Sequence, residues 1–196
     1  MTENILTISI TLFSVIDMLG NIPLIIKLRK DNGGHISSLK GTVIAVAIMI
    51  ASLFAGKWFF NLLGIEISHF AIAGSLLLIY FGVKMLLGIE DGKTEKSAVN
   101  VSVFPIAFPL IAGPGTLSTI MSFRASFTDL EIIFGILINA VVIFLVLKMA
   151  GGIQKLIGES GINIIERLFG IILISIGIKI FLENLVISID LITMNV

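Results

Sequence analysis

The chain has no cysteine, which excludes disulfides, thiolate metal sites and iron–sulfur clusters. Its two histidines, His35 and His69, fall in predicted loops on opposite sides of an apolar layer and cannot share a metal ion. Charge is scarce: 13% of the 196 residues are charged, against roughly 25% in soluble domains. The 13 basic and 13 acidic residues cancel, so nothing points to nucleic acid as a partner. A phosphate-cradling Gly-rich loop with its Lys, a nucleophile elbow and a metal-ligand cluster are all missing. These gaps lead to an expectation of no enzyme chemistry, no bound metal and no cofactor.

What is present is apolar sequence: 57% hydrophobic residues and a mean hydropathy of +1.12. It comes in blocks of about 20 residues or more, the length that crosses ~30 Å of hydrocarbon. The pattern predicts an all-α polytopic membrane protein in the lipid bilayer. Six spans are read at about residues 5–28, 40–62, 67–88, 102–123, 130–150 and 164–186. Polar punctuation separates them at Arg29-Lys30-Asp31-Asn32-Gly33-Gly34-His35, at Glu90-Asp91-Gly92-Lys93-Thr94-Glu95-Lys96 and at Gly158-Glu159-Ser160-Gly161. Met1-Thr2-Glu3-Asn4 lacks the basic start of a signal peptide, so the first run reads as a retained helix.

Sliding the second half onto the first by 95 positions needs no gap. Phe13 falls on Phe108, Gly20 on Gly115, Arg29 on Arg124, Ala55-Gly56 on Ala150-Gly151, and Gly82-Val83-Lys84 on Gly177-Ile178-Lys179. The chain therefore reads as one membrane domain over 1–196: repeat one about 5–88, a linker about 89–101, and repeat two about 102–186. Three spans per repeat is an odd number, so the second copy runs upside down. That predicts a 3+3 inverted repeat with a pseudo-two-fold axis in the membrane plane. Ten of the 13 Lys and Arg residues fall on one predicted side; Lys57, Arg124 and Lys179 fall on the other. The positive-inside rule puts the larger group in the cytoplasm and both termini outside the cell (inner) membrane.

Two segments interrupt spans 1 and 4 at equivalent places: Asp17-Met18-Leu19-Gly20-Asn21-Ile22-Pro23 and Ala112-Gly113-Pro114-Gly115-Thr116. Proline removes a donor and glycine admits strained backbone. Inside a span such breaks free amides and carbonyls that lipid cannot satisfy. The N-terminus of a resumed half-helix suits a carboxylate, and the carbonyls of an ended one suit an ammonium or a cation. Matched interrupted spans are the best sequence pointer to a secondary transporter's binding site; the competing reading is a pair of structural kinks. The candidate substrate-binding residues are Ser14, Asp17, Gly20, Asn21, Pro23, Gly113, Pro114, Gly115, Thr116, Thr119 and Asn139, with Ser118 at the same depth.

Asp17 is the one acid deep within a span. It reads either as a site for a coupling cation, proton or sodium, or as a cap on the helix that resumes after the break. Asn139 reads equally as a ligand or as interhelical packing glue. Lys84, Arg167 and Lys179 sit near span ends and are expected to snorkel to the headgroups. With no nucleotide-binding motif, any energised transport would draw on an ion gradient.

With Phe108-Pro-Leu-Ile-Ala-Gly113-Pro114-Gly115-Thr116 and the Asp17–Pro23 motif in view, the chain resembles the MarC family of inner-membrane proteins, within the wider LysE-like group of exporters. The likeness covers about residues 3–186. It implies six helices in a 3+3 inverted repeat, with discontinuous helices 1 and 4 meeting at the binding site. The SnatA-like members imply cation-driven transport of small neutral amino acids such as glycine and alanine. The function expected is such a secondary transporter, working by alternating access. Export of other small metabolites, or a non-transporting role binding partners or lipids, are the alternatives. Sequence leaves the oligomeric state open.

Overall fold

The computed structural model describes residues 1–18, 20–31, 36–89 and 101–194. Leu19 of the first break motif, His35 and linker residues 90–100 lie outside the described residues. Among the described residues every regular element is helical: α1 (Thr2–Ile16), α2 (Ile22–Asp31), α3 (Ser38–Leu63), α4 (Ile67–Leu87), a wide-turned π-type segment (Ser102–Ile111), α5 (Pro114–Phe123) and α6 (Asp129–Met194).

Four helical stretches are long and apolar enough to cross a membrane: α3, α4, and the Asp129–Ala150 and Arg167–Ile189 parts of α6. The π-type segment and α5, bent by 54° at a short break, make a fifth if taken as one span. The expected first span is two helices, and α1, with 15 residues, is shorter than the ~20 needed to cross alone. One expectation is corrected: Gly158–Gly161, read as punctuation between spans 5 and 6, has helical backbone within α6. No proline follows Pro114, so nothing in that stretch lacks an amide or clashes with a preceding carbonyl.

Helix ends follow their sequence. The Ser37 hydroxyl accepts from the Lys40 amide at the start of α3. Thr128 and Glu131 form a reciprocal capping box at the start of α6: Glu131 Oε2 accepts from the Thr128 amide, and Thr128 Oγ1 from the Glu131 amide. Gly64 and Gly88 close α3 and α4 with left-handed φ of 64° and 65°, conformations glycine adopts without a Cβ penalty.

The core is narrow and built from helical stripes: Ile8, Leu12 and Ile16 of α1 against Ile132, Ile136, Ile143 and Leu147 of α6. Large apolar side chains such as Leu6, Trp58, Leu62, Tyr80 and Val141 stay exposed on the outside, as a surface solvated by lipid requires. The Asp129–Ala150 stretch runs parallel to α1, with Glu131 beside Asn4 and Asn139 beside Ser9. The Arg167–Ile189 stretch runs antiparallel to α4: Gly170 packs on Leu86, and Gly177 on Ser75 and Ile79.

Candidate functional site

The first break begins where α1 ends at Asp17, whose backbone is left-handed (φ 46°, ψ 50°). Asp tolerates this conformation better than most residues because its short polar side chain bonds locally. The Asp17 amide donates to the Phe13 carbonyl at 3.2 Å, and its own carbonyl accepts from the Asn21 amide at 3.1 Å. Its carboxylate Oδ1 accepts from the Gly20 amide at 3.2 Å. A Cβ on Gly20 would collide with that carboxylate, so the motif needs glycine where the acid folds over the turn. Asp17 is exposed, while Asn21 and Pro23 are buried.

The second break is made by proline and glycine. Phe104 and Phe108 sit in extended backbone inside the π-type segment (φ −124°, ψ 126° and φ −139°, ψ 133°). Each precedes a proline, which bars the helical region to the residue before it. Gly113 is the extended N-cap of α5 and Pro114 its first residue, a position that has no use for the missing amide. The first main-chain bond closing α5 runs from the Leu117 amide to the Gly113 carbonyl at 2.9 Å. The Gly115 and Thr116 amides lie ahead of it, among the helix-start donors that have no partner within the helix.

The two breaks share one hydrogen-bond device. The Asn21 side-chain amide donates to the Ile16 carbonyl at 2.9 Å, and the Thr116 hydroxyl donates to the Ile111 carbonyl, also at 2.9 Å. Ile16 and Ile111, like Asn21 and Thr116, are 95 positions apart. In each case a side chain five residues on satisfies a carbonyl that the ending helix has orphaned. Asn21 and Thr116 are buried at 7% and 2% exposure, where an unpaired carbonyl would be costly.

The breaks also lie side by side. The Val15 side chain, two residues before Asp17, comes 3.5 Å from where a Cβ on Gly115 would stand. From the far side, Gly74 of α4 leaves room for the Pro114 ring, which a Cβ there would strike. Asp17, Gly20, Asn21, Gly113, Pro114, Gly115 and Thr116 thus belong to one neighbourhood where α1, α2, α4 and α5 approach.

The other candidates donate to backbone carbonyls. Ser14 donates to Ile10, and Ser118 and Thr119 both donate to the Gly115 carbonyl. Asn139 of α6 stands beside Ser9, two turns before Asp17 on α1, donating to the Ser9 and Gly135 carbonyls at 3.0 and 2.9 Å; it ties α6 to α1. A cavity of about 460 Å³ opens between α3, the start of α4 and the second break, lined by Phe60, Phe70, Phe108 and Leu117 among others. Its lining is apolar, so it does not offer the polar groups that the breaks do. Among the described residues no group of three His, Asp or Glu is placed to hold a metal.

Sequence reading missed two polar clusters. Arg124 Nε lies 3.2 Å from Asp129 Oδ1, while Nη1 donates to the Leu53 carbonyl of α3 at 3.2 Å. Glu131 Oε1 accepts from Asn4 Nδ2 at 3.0 Å, fastening the start of α1 to the start of α6. Thr128-x-x-Glu131 is a capping-box signature visible in the sequence. Nothing local signalled the Arg124 contact with α3.

Apolar helices of spanning length and an apolar exterior define a multi-pass integral membrane protein. More narrowly, residues 2–189 match the sequence model described as MarC family integral membrane protein, and the chain belongs to that family. It is similar to a UPF0056 membrane protein of Buchnera aphidicola subsp. Schizaphis graminum, 33% identical over 182 residues, covering 87% of this chain and 86% of that one. A UPF0056 membrane protein of Methanocaldococcus jannaschii is 27% identical over 189 residues (89% and 92%). One from Aquifex aeolicus is 26% identical over 191 residues (90% and 89%). No solved structure matches the chain.

Proposed function

We propose that the chain is a secondary transporter of small neutral amino acids of about glycine or alanine size. It works by alternating access across the cytoplasmic membrane, coupled to a gradient of protons or sodium. The observation that carries this reading is the pair of adjacent breaks with equivalent caps, Asn21 on Ile16 and Thr116 on Ile111. Elaborate satisfaction of the carbonyls at both breaks keeps two interrupted helices stable at membrane depth, as binding sites of repeat-built transporters require.

The architecture proposed with it is six spans in a 3+3 inverted repeat, with both termini outside; it requires the chain to reverse direction within α6, between Ala150 and Arg167. Contacts between α4 and the second half of α6 support it. A Cβ on Gly82 would meet Ile174 and the Gly170 carbonyl, and a Cβ on Gly177 would meet Ile79 and the Ser75 carbonyl. Every partner in the second set is the 95-position mate of one in the first. Two antiparallel helices touching through equivalent residues are what a two-fold axis between them produces.

In the proposed site the substrate carboxylate takes the Gly115 and Thr116 amides at the start of α5, where the helix dipole favours an anion. The substrate ammonium faces Asp17, whose carboxylate is exposed beside the turn. Asp17 also carries the coupling cation in this reading. Gly115, with only the Val15 side chain near where a Cβ would stand, leaves space for a small substrate side chain.

Glycine uptake into proteoliposomes under proton and sodium gradients tests the reading. Accumulation by the native protein that Asp17→Asn abolishes is the expected result, and undiminished gradient-driven accumulation by that variant would sink the coupling role. Efflux of preloaded substrate alone points to export, and movement of no amino acid in either direction overturns the transport reading.

A further inference from the structure

The second spanning stretch of α6, Arg167–Ile189, is the least enclosed: 17% of its most apolar window is buried, against 33–39% for the other three spans. Gly170 and Gly177 press it onto α4. Lys179 is nine residues from Gly170, two and a half turns, and so stands on the opposite, outermost side of the helix. Ser175, Lys179 and Glu183, spaced by four, make a polar stripe along that side, and all three are exposed. Lys179 Nζ and Glu183 Oε1 are 3.8 Å apart, with the two side chains 72% and 59% exposed.

The depth of this stripe follows from the packing. Gly177 lies against Ser75 and Ile79, the middle of α4. At 1.5 Å per residue, Lys179 is about 3 Å and Glu183 about 9 Å past that level, both within the ~15 Å half-thickness of a hydrocarbon core. Ionised side chains at such depth face a partner or a cavity, not lipid. Lys84, the repeat mate of Lys179, is itself buried, with its ammonium 5.6 Å from the Tyr80 ring centre.

We propose that the Ser175–Lys179–Glu183 face is a self-association surface, covered in the bilayer by the same face of a second copy of this chain. A two-fold axis along the membrane normal sets the two helices side by side in parallel. Lys179 of one copy then pairs with Glu183 of the other, twice, so the stripe complements itself in charge. Ser175 is the small residue that lets the two backbones approach. Leu168, Ile172 and Val186, exposed on the same side at 56%, 45% and 57%, supply the packing around it.

The absence of native cysteine makes the test clean. Single variants Ser175→Cys and Ile172→Cys, oxidised in membranes, should give disulfide-linked dimers. Val43→Cys and Val141→Cys, on other lipid-facing sides and 56% and 60% exposed, should not. In the Ser175→Cys background, Lys179→Glu should lose the cross-link, and adding Glu183→Lys should restore it. Monomer only from both Ser175→Cys and Ile172→Cys overturns the proposal, and leaves a pair that reaches the headgroups of a lone chain. Equal cross-linking from the control faces, or a yield that Lys179→Glu leaves unchanged, overturns it as well.

Discussion

Replacing Thr116 by valine removes one hydroxyl and keeps the shape. In the native protein that hydroxyl donates to the Ile111 carbonyl at 2.9 Å, and Ile111 is fully buried while Thr116 is 2% exposed. The variant leaves a buried carbonyl without its donor at the end of the π-type segment. A buried group left unsatisfied costs about 1–3 kcal/mol in soluble proteins, whereas side-chain hydrogen bonds within membranes average about 0.6 and reach about 1.7 kcal/mol. Water does not reach this carbonyl, but the backbone beside it can relax, so the membrane range applies. The expected loss is about 0.5–2 kcal/mol, or a fall in melting temperature of about 2–4 °C for each kcal/mol in a chain of this size. Thermal unfolding of the purified protein in lipid nanodiscs measures it. Thr116→Ser keeps the donor and should lose less than Thr116→Val. Thr119→Val should be nearly neutral, because the Thr119 hydroxyl only adds to the helix's own bonding at the Gly115 carbonyl. If Thr116→Val melts with the native protein, or no lower than Thr119→Val, the cap does not stabilise the break and the reasoning fails.

Asn21→Ala, at the equivalent cap of the first break, should destabilise by a similar amount, and the double variant with Thr116→Val tests whether the two breaks are coupled. Gly74→Ala drives a methyl into the Pro114 ring, so overpacking should cost about 1–3 kcal/mol by the same unfolding assay. Gly152→Ala, at a helical site with nothing within 4 Å of the added Cβ, should be neutral or stabilise by up to about 1 kcal/mol. Glu131→Ala removes the acceptor for the Thr128 amide and for Asn4; a loss of about 1–2 kcal/mol is expected.

Sequence alone determined the properties that live on single segments. Span length is a count of consecutive apolar residues, so the membrane setting and α3, α4 and the two apolar stretches of α6 were legible without coordinates. The interruptions at Asp17–Pro23 and Ala112–Thr116 were legible for the same reason, because Pro114 and the glycines of both motifs act on the backbone of their immediate neighbours; the extended backbone at Phe104 and Phe108, before Pro105 and Pro109, was not read. The family signature is also linear, running from residue 2 to 189. Continuity of helix through Gly158–Gly161 was misread, because polarity marks a surface position without breaking the backbone.

Tertiary structure alone decided which groups meet. Asn139 was equally a ligand or a tie until it stood beside the Ser9 carbonyl, 130 residues away in the chain. Gly74 carried no local signal until Pro114 was packed on it, and Arg124 none until it reached Leu53. The same holds for Lys179, a snorkelling residue by position yet seated on the outermost face of its helix once Gly170 and Gly177 lie on α4. Periodicity and breakers act through neighbours along the chain, but hydrogen-bond partners and close helix approach depend on how helices distant in sequence are stacked, which no single segment encodes.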